Sequence, residues 1–360
     1  MLECCPQEEF HMKSHRRALL GLSAAVAVTL AFSPVADAAA KKKTAKKAAT
    51  KSVGLLFDIT GRGDKSFNDA AAAGLDKAKG EFKTVKYTES APTGDADRPD
   101  RVKTLISNKT GLIVCVGFLW TKDCGASAKA NPGTNFAIID DVIATPNAVS
   151  LLFSEEQGSY LVGYAAALKS KSGKLGFIGG VRTDGIAKFE AGYVAGAKAA
   201  NAKITVESKY VSEPPDFGGF NDPAKGKVIA KAMYDSGIDV VFHAAGGSGA
   251  GLFSAAKESG KKPGEIWAIG VDSDQYKSVK PENGQEYILT SMLKRVDVAT
   301  YEAIKAYVAG KPLSGESRFD LKRDGVGYST SNPAINDIKA QLEAAKAEII
   351  SGKVVVPTKP

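Results

Sequence analysis

From residue 53 onward, short apolar runs alternate with longer stretches in which apolar residues recur every three or four positions. The short runs fall at 53–58, 85–88, 111–117, 136–140, 148–153, 175–179, 204–210, 240–244 and 267–271, and read as strands. Amphipathic helices are expected at 68–80, 98–107, 158–170, 187–201, 225–236 and 251–259. Strand and helix in alternation give an α/β fold of parallel sheets with crossover helices. About 300 residues exceed what one sheet core holds, so two lobes are expected.

The alternation changes near the end. Residues 287–310 read as a strand running into a helix, followed by extended pieces at 318–321 and 325–328 and a final helix over 333–350. A chain that crosses back in this way makes two similar lobes, each a parallel sheet flanked by helices, with a hinge of several strands. That resembles the architecture of a type I periplasmic binding protein. Lobe 1 would take 53–152 plus about 290–325, and lobe 2 would take 153–289 plus about 326–360.

The first forty residues stand apart. Lys13, Arg16 and Arg17 precede an uncharged stretch from Ala18 to Phe32, and Ala36-Asp37-Ala38 offers an A-x-A cleavage site. The apolar run is short of the ~20 residues that span a bilayer. Residues 1–40 are therefore expected to be a cleavable signal peptide, cut after Ala38 or Ala40. Glu3, Glu8 and Glu9 suit an n-region badly, which makes Met12 the better start, and His15 beside Arg16-Arg17 is a poor fit to a twin-arginine signal. No cysteine follows the apolar run near the cut, so a freely soluble exported protein, periplasmic or extracytoplasmic, is expected rather than a lipid-anchored one.

Charge changes this picture little. Of 48 basic and 40 acidic residues, three and four lie in 1–40, and 41–51 holds six lysines. That leaves 39 and 36, a net +3, for the rest. The 41–52 stretch is expected to be a disordered linker, with a solvated spacer and an acidic envelope surface as its two readings. A nearly balanced folded part gives no support to a nucleic-acid partner.

Cys115 sits inside an apolar run and reads as a buried thiol. A bridge to Cys124, on the following helix or its lead-in, is the alternative in an oxidising compartment. No cysteine pair has zinc-site spacing. His243 is the only histidine beyond residue 15, so a His-based triad has almost no material. No metal or cofactor is expected.

The candidate site begins at 57–69, where a strand ends on Asp58, a glycine-rich turn follows, and a helix opens at Ser66-Phe67-Asn68. Ligands sit at such corners of open α/β sheets. A carboxylate, a hydroxyl, an amide and an aromatic ring suit a neutral ligand with a flat ring and several hydroxyls. The glycine run at 246–251 lacks G-x-G-x-x-G spacing, and Gly173-Lys174 is followed by Leu175, so there is no P-loop. Asp184 and Asp216 fall in loops and read as solvated. Asp140, rather than its neighbour Asp141, is expected to face the cleft.

Asp58, Gly61 and DKSFN at 64–68 resemble the opening signature of the basic membrane protein family of ABC-importer substrate-binding proteins. Further similar blocks follow in order: FAIID at 136–140, FSEEQGSYLVG at 153–163, GFIGG at 176–180, FEAGY at 189–193, AGGSG at 245–249, IGVD at 269–272 and LTSMLKRVD at 289–297. The resemblance implies a non-enzymatic protein of the purine-nucleoside-binding branch, a monomer that serves ABC transporter permease subunits. It also implies that Phe67 stacks on the base, Asp140 meets the base edge, and Asp272 with Lys294 hold the ribose hydroxyls. Asp58, Ser66 and Asn68 would complete the wall, Gly246 and Gly247 would bring backbone close, and Phe242 or His243 would offer a second stacking surface. Thr60-Gly61 followed by Arg62-Gly63 departs from the family's glycine pair and would alter the pocket rim.

The residue chemistry agrees with this reading. A carboxylate accepts both donors of a vicinal diol, a nearby lysine offsets its buried charge, and a phosphate would call for an arginine cluster. Sugars or other hydroxylated metabolites in the same fold, an envelope nucleoside hydrolase and a ligand sensor for a membrane receptor are the competing readings.

Overall fold

The computed structural model describes residues 50–360, so the expected signal peptide and most of the lysine-rich stretch lie outside the described residues. Each of the nine short runs forms a strand. In the first sheet these are β1 (Ser52–Leu56), β2 (Lys86–Ser90), β3 (Leu112–Cys115), β4 (Asn135–Ile139) and β5 (Ala148–Phe153). In the second sheet they are β6 (Lys174–Val181), β7 (Thr205–Ser212), β8 (Val240–Ala244) and β9 (Trp267–Asp272), joined by β10 (Ile288–Lys294), the strand expected from residue 287 onward. Both sheets gain a sixth strand late in the chain, β11 (Gly315–Phe319) in the first and β12 (Val326–Tyr328) in the second.

The strand orders are β11-β5-β4-β3-β1-β2 and β12-β10-β9-β8-β6-β7, the same order twice. Every pairing is parallel except β10 with β12. Central strands are buried along their length, as β3 and β8 are at every position, because helices cover both faces. The order reverses beside β1 and β6, which opens a crevice at the strands' carboxyl ends.

The helices are α1 (Phe67–Glu81), α2 (Arg98–Ser107), α3 (Thr121–Ala130), α4 (Glu155–Lys169), α5 (Asp184–Ala200), α6 (Pro223–Asp235), α7 (Gly249–Glu258), the single turn α8 (Gln275–Ser278), α9 (Val296–Val308) and α10 (Lys339–Ile350). Two helices change lobes. The α4 helix leaves the first sheet and packs on α5, whereas α9 leaves the second sheet and packs on α1. Gly192 and Gly196 let α5 lie directly against the α4 backbone at Glu156 and Tyr160, where a Cβ would collide with carbonyl oxygens.

The chain thus crosses between lobes three times, after β5, after β10 and between β11 and β12. The sequence assigns residues 290–294 to lobe 1, but β10 pairs with β9 and β12 in the second sheet. The second crossing therefore falls after Lys294, because the strand has to complete its ladder before the chain can leave.

Candidate functional site

The crevice between the two rows of strand ends holds a cavity of ≈ 370 Å³, within the size range of small-molecule sites. Asp58, Thr60, Phe67, Gly117, Phe118 and Asp140 line it from lobe 1, and Phe189, Phe220, Gly246, Asp272 and Lys294 line it from lobe 2.

The 58–69 turn is held by its own polar side chains. Asp64 accepts the backbone N–H groups of Ser66 (2.9 Å), Asn68 (2.8 Å) and Asp69 (3.0 Å), capping α1. Asp69 accepts from Gly63 (2.8 Å) and Lys65 (2.9 Å). Asn68 Oδ1 accepts from the Asp58 N–H (2.8 Å), while its amide donates to Thr60 Oγ1 (2.9 Å) and Asp64 Oδ2 (3.0 Å). Both Asn68 donors are used inside the loop, so this residue orders the corner at the cavity wall. With Asp64 as the cap, the Ser66 hydroxyl crosses the cleft instead and donates to Asp272 Oδ2 at 2.6 Å. Ser273 Oγ donates back to the Ser66 carbonyl at 3.1 Å. Gly117 follows β3 at φ 97°; a Cβ there would come 2.9 Å from Asp58 Oδ2 and 3.4 Å from the Phe67 ring.

Lys294 is the electrostatic centre. Its ammonium lies 2.5 Å from Asp140 Oδ2 and 3.3 Å from Glu155 Oε1, and 5.0 Å from the centre of the Phe67 ring. Burial works against its charge, but Asp140, Glu155 and Asp272 outweigh that and hold its pKa above the ordinary lysine value. Burial lifts Asp272 to about 7, with Lys294 and the Ser66 hydroxyl pulling the other way. It lifts Asp58 to about 6 against the opposing Arg98 guanidinium, 3.4 Å away. Asp140 is raised by burial too, opposed by Lys294, and its Oδ1 is buried with no hydrogen-bond partner among the described residues. Wherever these carboxylates ionise, they can accept hydrogen bonds from a ligand's donors, and Lys294 can donate.

Seven of the residues expected from the sequence line the cavity: Asp58, Phe67, Asn68, Asp140, Gly246, Asp272 and Lys294. Ser66 stands behind Asp272, and Gly247 faces Asn221 and Thr60 outside the lining. Phe242 and His243 do not reach the cavity. They alternate across β8, and both faces of that strand are core. Phe242 packs on Phe177 and Tyr193, with ring centres 5.6 and 5.2 Å away. His243 Nε2 lies 3.0 Å from Gln275 Oε1, and burial lowers its pKa to about 4.

Of the two residues expected to alter the rim, Thr60 lines the cavity and Arg62 does not. Arg62 turns outward and forks onto Asp76 (2.8 Å twice) while pairing with Glu89 (2.6 Å). Asp184, expected in a solvated loop, opens α5 and lines the cavity, though it is exposed there. Asp216 caps a 3₁₀ turn by accepting from Gly218 N at 2.9 Å.

Phe118, Glu155, Lys188, Phe189 and Phe220 are cavity residues with no assignment from the sequence. Extending the strand-end rule from β1 to β3, β5 and β6 points to the segments that carry the first four. Cys115 and Cys124 are joined by a disulfide, rather than Cys115 being a free thiol. Cys115 is the last residue of β3, where the chain turns into α3, and the bridge closes the segment that carries Gly117 and Phe118.

Among the described residues no group of three or more His, Cys, Asp or Glu is arranged to hold a metal ion. No helix among them is long and apolar enough to cross a membrane.

A family model described as "ABC transporter substrate-binding protein PnrA-like" matches residues 51–359. The "ABC transporter nucleoside-binding protein BmpA" of Lactococcus lactis is 38% identical over 332 residues, 89% of this chain and 91% of that protein. The "CD4+ T-cell-stimulating antigen" of Listeria monocytogenes is 37% identical, covering 86% of this chain and 88% of its own length. A crystal structure of an ABC transporter solute-binding protein from Aeropyrum pernix K1 superposes with a TM-score of 0.74 at 30% identity, covering 85% of this chain and 94% of the other.

Proposed function

The chain belongs to the PnrA-like family of ABC transporter substrate-binding proteins, and on that premise we propose that it captures a purine nucleoside in the interlobe cavity. The coarser facts follow from the family. Its members are solute-binding proteins rather than enzymes; they act outside the cytoplasm, bind a small ligand and work with permease and ATPase components. The two-lobed type I fold is shared with solved solute-binding proteins.

The observation that carries the nucleoside reading is one cavity lined by a half-buried Phe67 ring, by Asp140, whose Oδ1 has no partner among the described residues, and by Asp272 and Lys294. In this reading Phe67 stacks on the purine, and Asp140 accepts from its edge. Asp272 accepts donors of the ribose diol, and Lys294 donates to the same hydroxyls. Aromatic stacking contributes about 1–3 kcal/mol per base in nucleic-acid systems. The name of the Lactococcus relative supports the same ligand class. The protein works as a monomer, released by cleavage of its leader and not lipid-anchored, and delivers its ligand by opening at the hinge.

Thermal melting of the mature chain against nucleosides, free bases, nucleotides and sugars tests this. Ligand at a hundredfold excess over Kd adds about 2.7 kcal/mol to the folded state. A rise in Tm with purine nucleosides alone is expected. A rise only with sugars replaces the ligand class, and release of free base from inosine makes the protein a hydrolase.

A further inference from the structure

Glu155 takes no part in the ligand contacts assigned above, yet it is a buried carboxylate on the cavity wall. It opens α4, so it sits at the first of the three lobe crossings and at a helix end that favours negative charge. Its Oε1 is 3.3 Å from Lys294 Nζ and its Oε2 is 3.4 Å from Lys188 Nζ. Lys294 ends β10 at the second crossing. The third crossing is bonded to the other two, since Ser154 N donates to Phe319 O (3.0 Å) and Arg295 N donates to Gly325 O (2.8 Å). The Glu155–Lys294 pair therefore joins two hinge segments. Asp140, the nearest partner of Lys294, belongs to the opposite wall of the cleft.

This geometry raises a problem for ligand entry. An ammonium buried away from water needs a counter-charge, and Asp140, with Oδ2 on Lys294 and Oδ1 left for the ligand, has one charge to divide between them. Asp272 is engaged by Ser66 and is itself a ligand contact in this reading. Resting on the assignment of Asp140 as a ligand contact, we propose that Glu155 is a positioning residue. It holds Lys294 from the hinge side, which releases Asp140 to the ligand and leaves donors of the ammonium facing the cavity. Lys188, on the far oxygen of Glu155, holds that carboxylate in place.

A double-mutant cycle tests this: Glu155→Gln, Lys294→Met and the pair, each titrated with inosine and guanosine and melted without ligand. Glu155→Gln is expected to weaken binding by about tenfold or more, Glu155→Asp to recover part of the loss, and the pair to bind no worse than Lys294→Met alone. Additive losses would mean that Glu155 acts on the ligand directly and overturn the proposal. So would a lowered Tm with affinity unchanged, which marks a purely structural hinge residue. If the unaltered protein binds neither nucleoside, the ligand reading falls separately. The same four proteins then judge the pair by Tm, where non-additive shifts support the counter-ion role and additive shifts reject it.

Discussion

Asp140 and Asp272 stand at the carboxyl ends of corresponding strands of the two sheets, and both enter the left-handed region of backbone space, at φ 70° and 62°. A residue with a Cβ is uncommon there, and aspartate and asparagine tolerate it best. The turn brings each carboxylate off its strand line to the cleft, one from each wall. The cavity is thus built from the same topological position used twice, with Lys294 2.5 Å from the first and its charge acting on the second.

This backbone requirement makes Asp272→Asn the cleaner test of the ligand contact. Asparagine keeps the turn and can still accept from Ser66, but it loses the charge. Inosine affinity is expected to fall about 10–100-fold, the worth of a hydrogen bond to a charged group. Tm should hold or rise, because a buried carboxylate is gone. Calorimetric titration beside a melting curve checks both, and undiminished affinity would move the diol clamp elsewhere. Asp272→Ala should lose affinity and stability together.

Acidity should act in opposite directions on the empty and the loaded protein. Asp58 at about 6 and Asp272 at about 7 lie above the unfolded value of about 4. The folded state therefore binds more protons between those values. These two groups stabilise the empty protein as pH falls from about 7 toward 4, and that contribution is lost as pH rises back through 6 and 7. A ligand held by ionised carboxylates draws their pKa values down, so its affinity weakens on acidification. The inosine-induced rise in Tm should narrow from pH 8 to pH 5; a constant rise would remove these carboxylates from the contact.

Phe67→Ala should cost about 1–3 kcal/mol of binding with little change in Tm, because the ring is only half-buried. Arg62→Ala is the matching control. Its guanidinium pairs outside the cavity with Asp76 and Glu89, so its nucleoside affinity should equal that of the unaltered protein in the same titration.

Replacing both Cys115 and Cys124 by serine should destabilise the fold by about 2–3 kcal/mol, as expected for a bridge closing so short a loop. Tm should drop by several degrees. Affinity should fall as well, because Gly117 and Phe118 lie inside the closed segment. A variant that melts lower but binds as before would show that the loop keeps its shape unaided.

What the sequence determined by itself is what repeats along the chain or is local to it. The period of the apolar residues placed the nine strands, and the aspartates at strand ends, with Phe67 at a helix start, marked one wall of the cleft. These signals are short-range, since burial dictates apolar identity and a strand's end dictates where the chain turns. Only the tertiary structure decided which further residues of the second lobe join Gly246, Asp272 and Lys294 opposite that wall. Phe242 and His243 looked equivalent to cleft residues, but both faces of β8 are covered, so only the end of the strand reaches the cavity. Phe189, Phe220, Lys188 and Glu155 reach it because α4 changes lobes and the two sheets face each other end to end. Cys115 and Cys124 meet because α3 folds back beside β3. Each of these contacts depends on chain segments brought together by packing, and no local pattern encodes that distance.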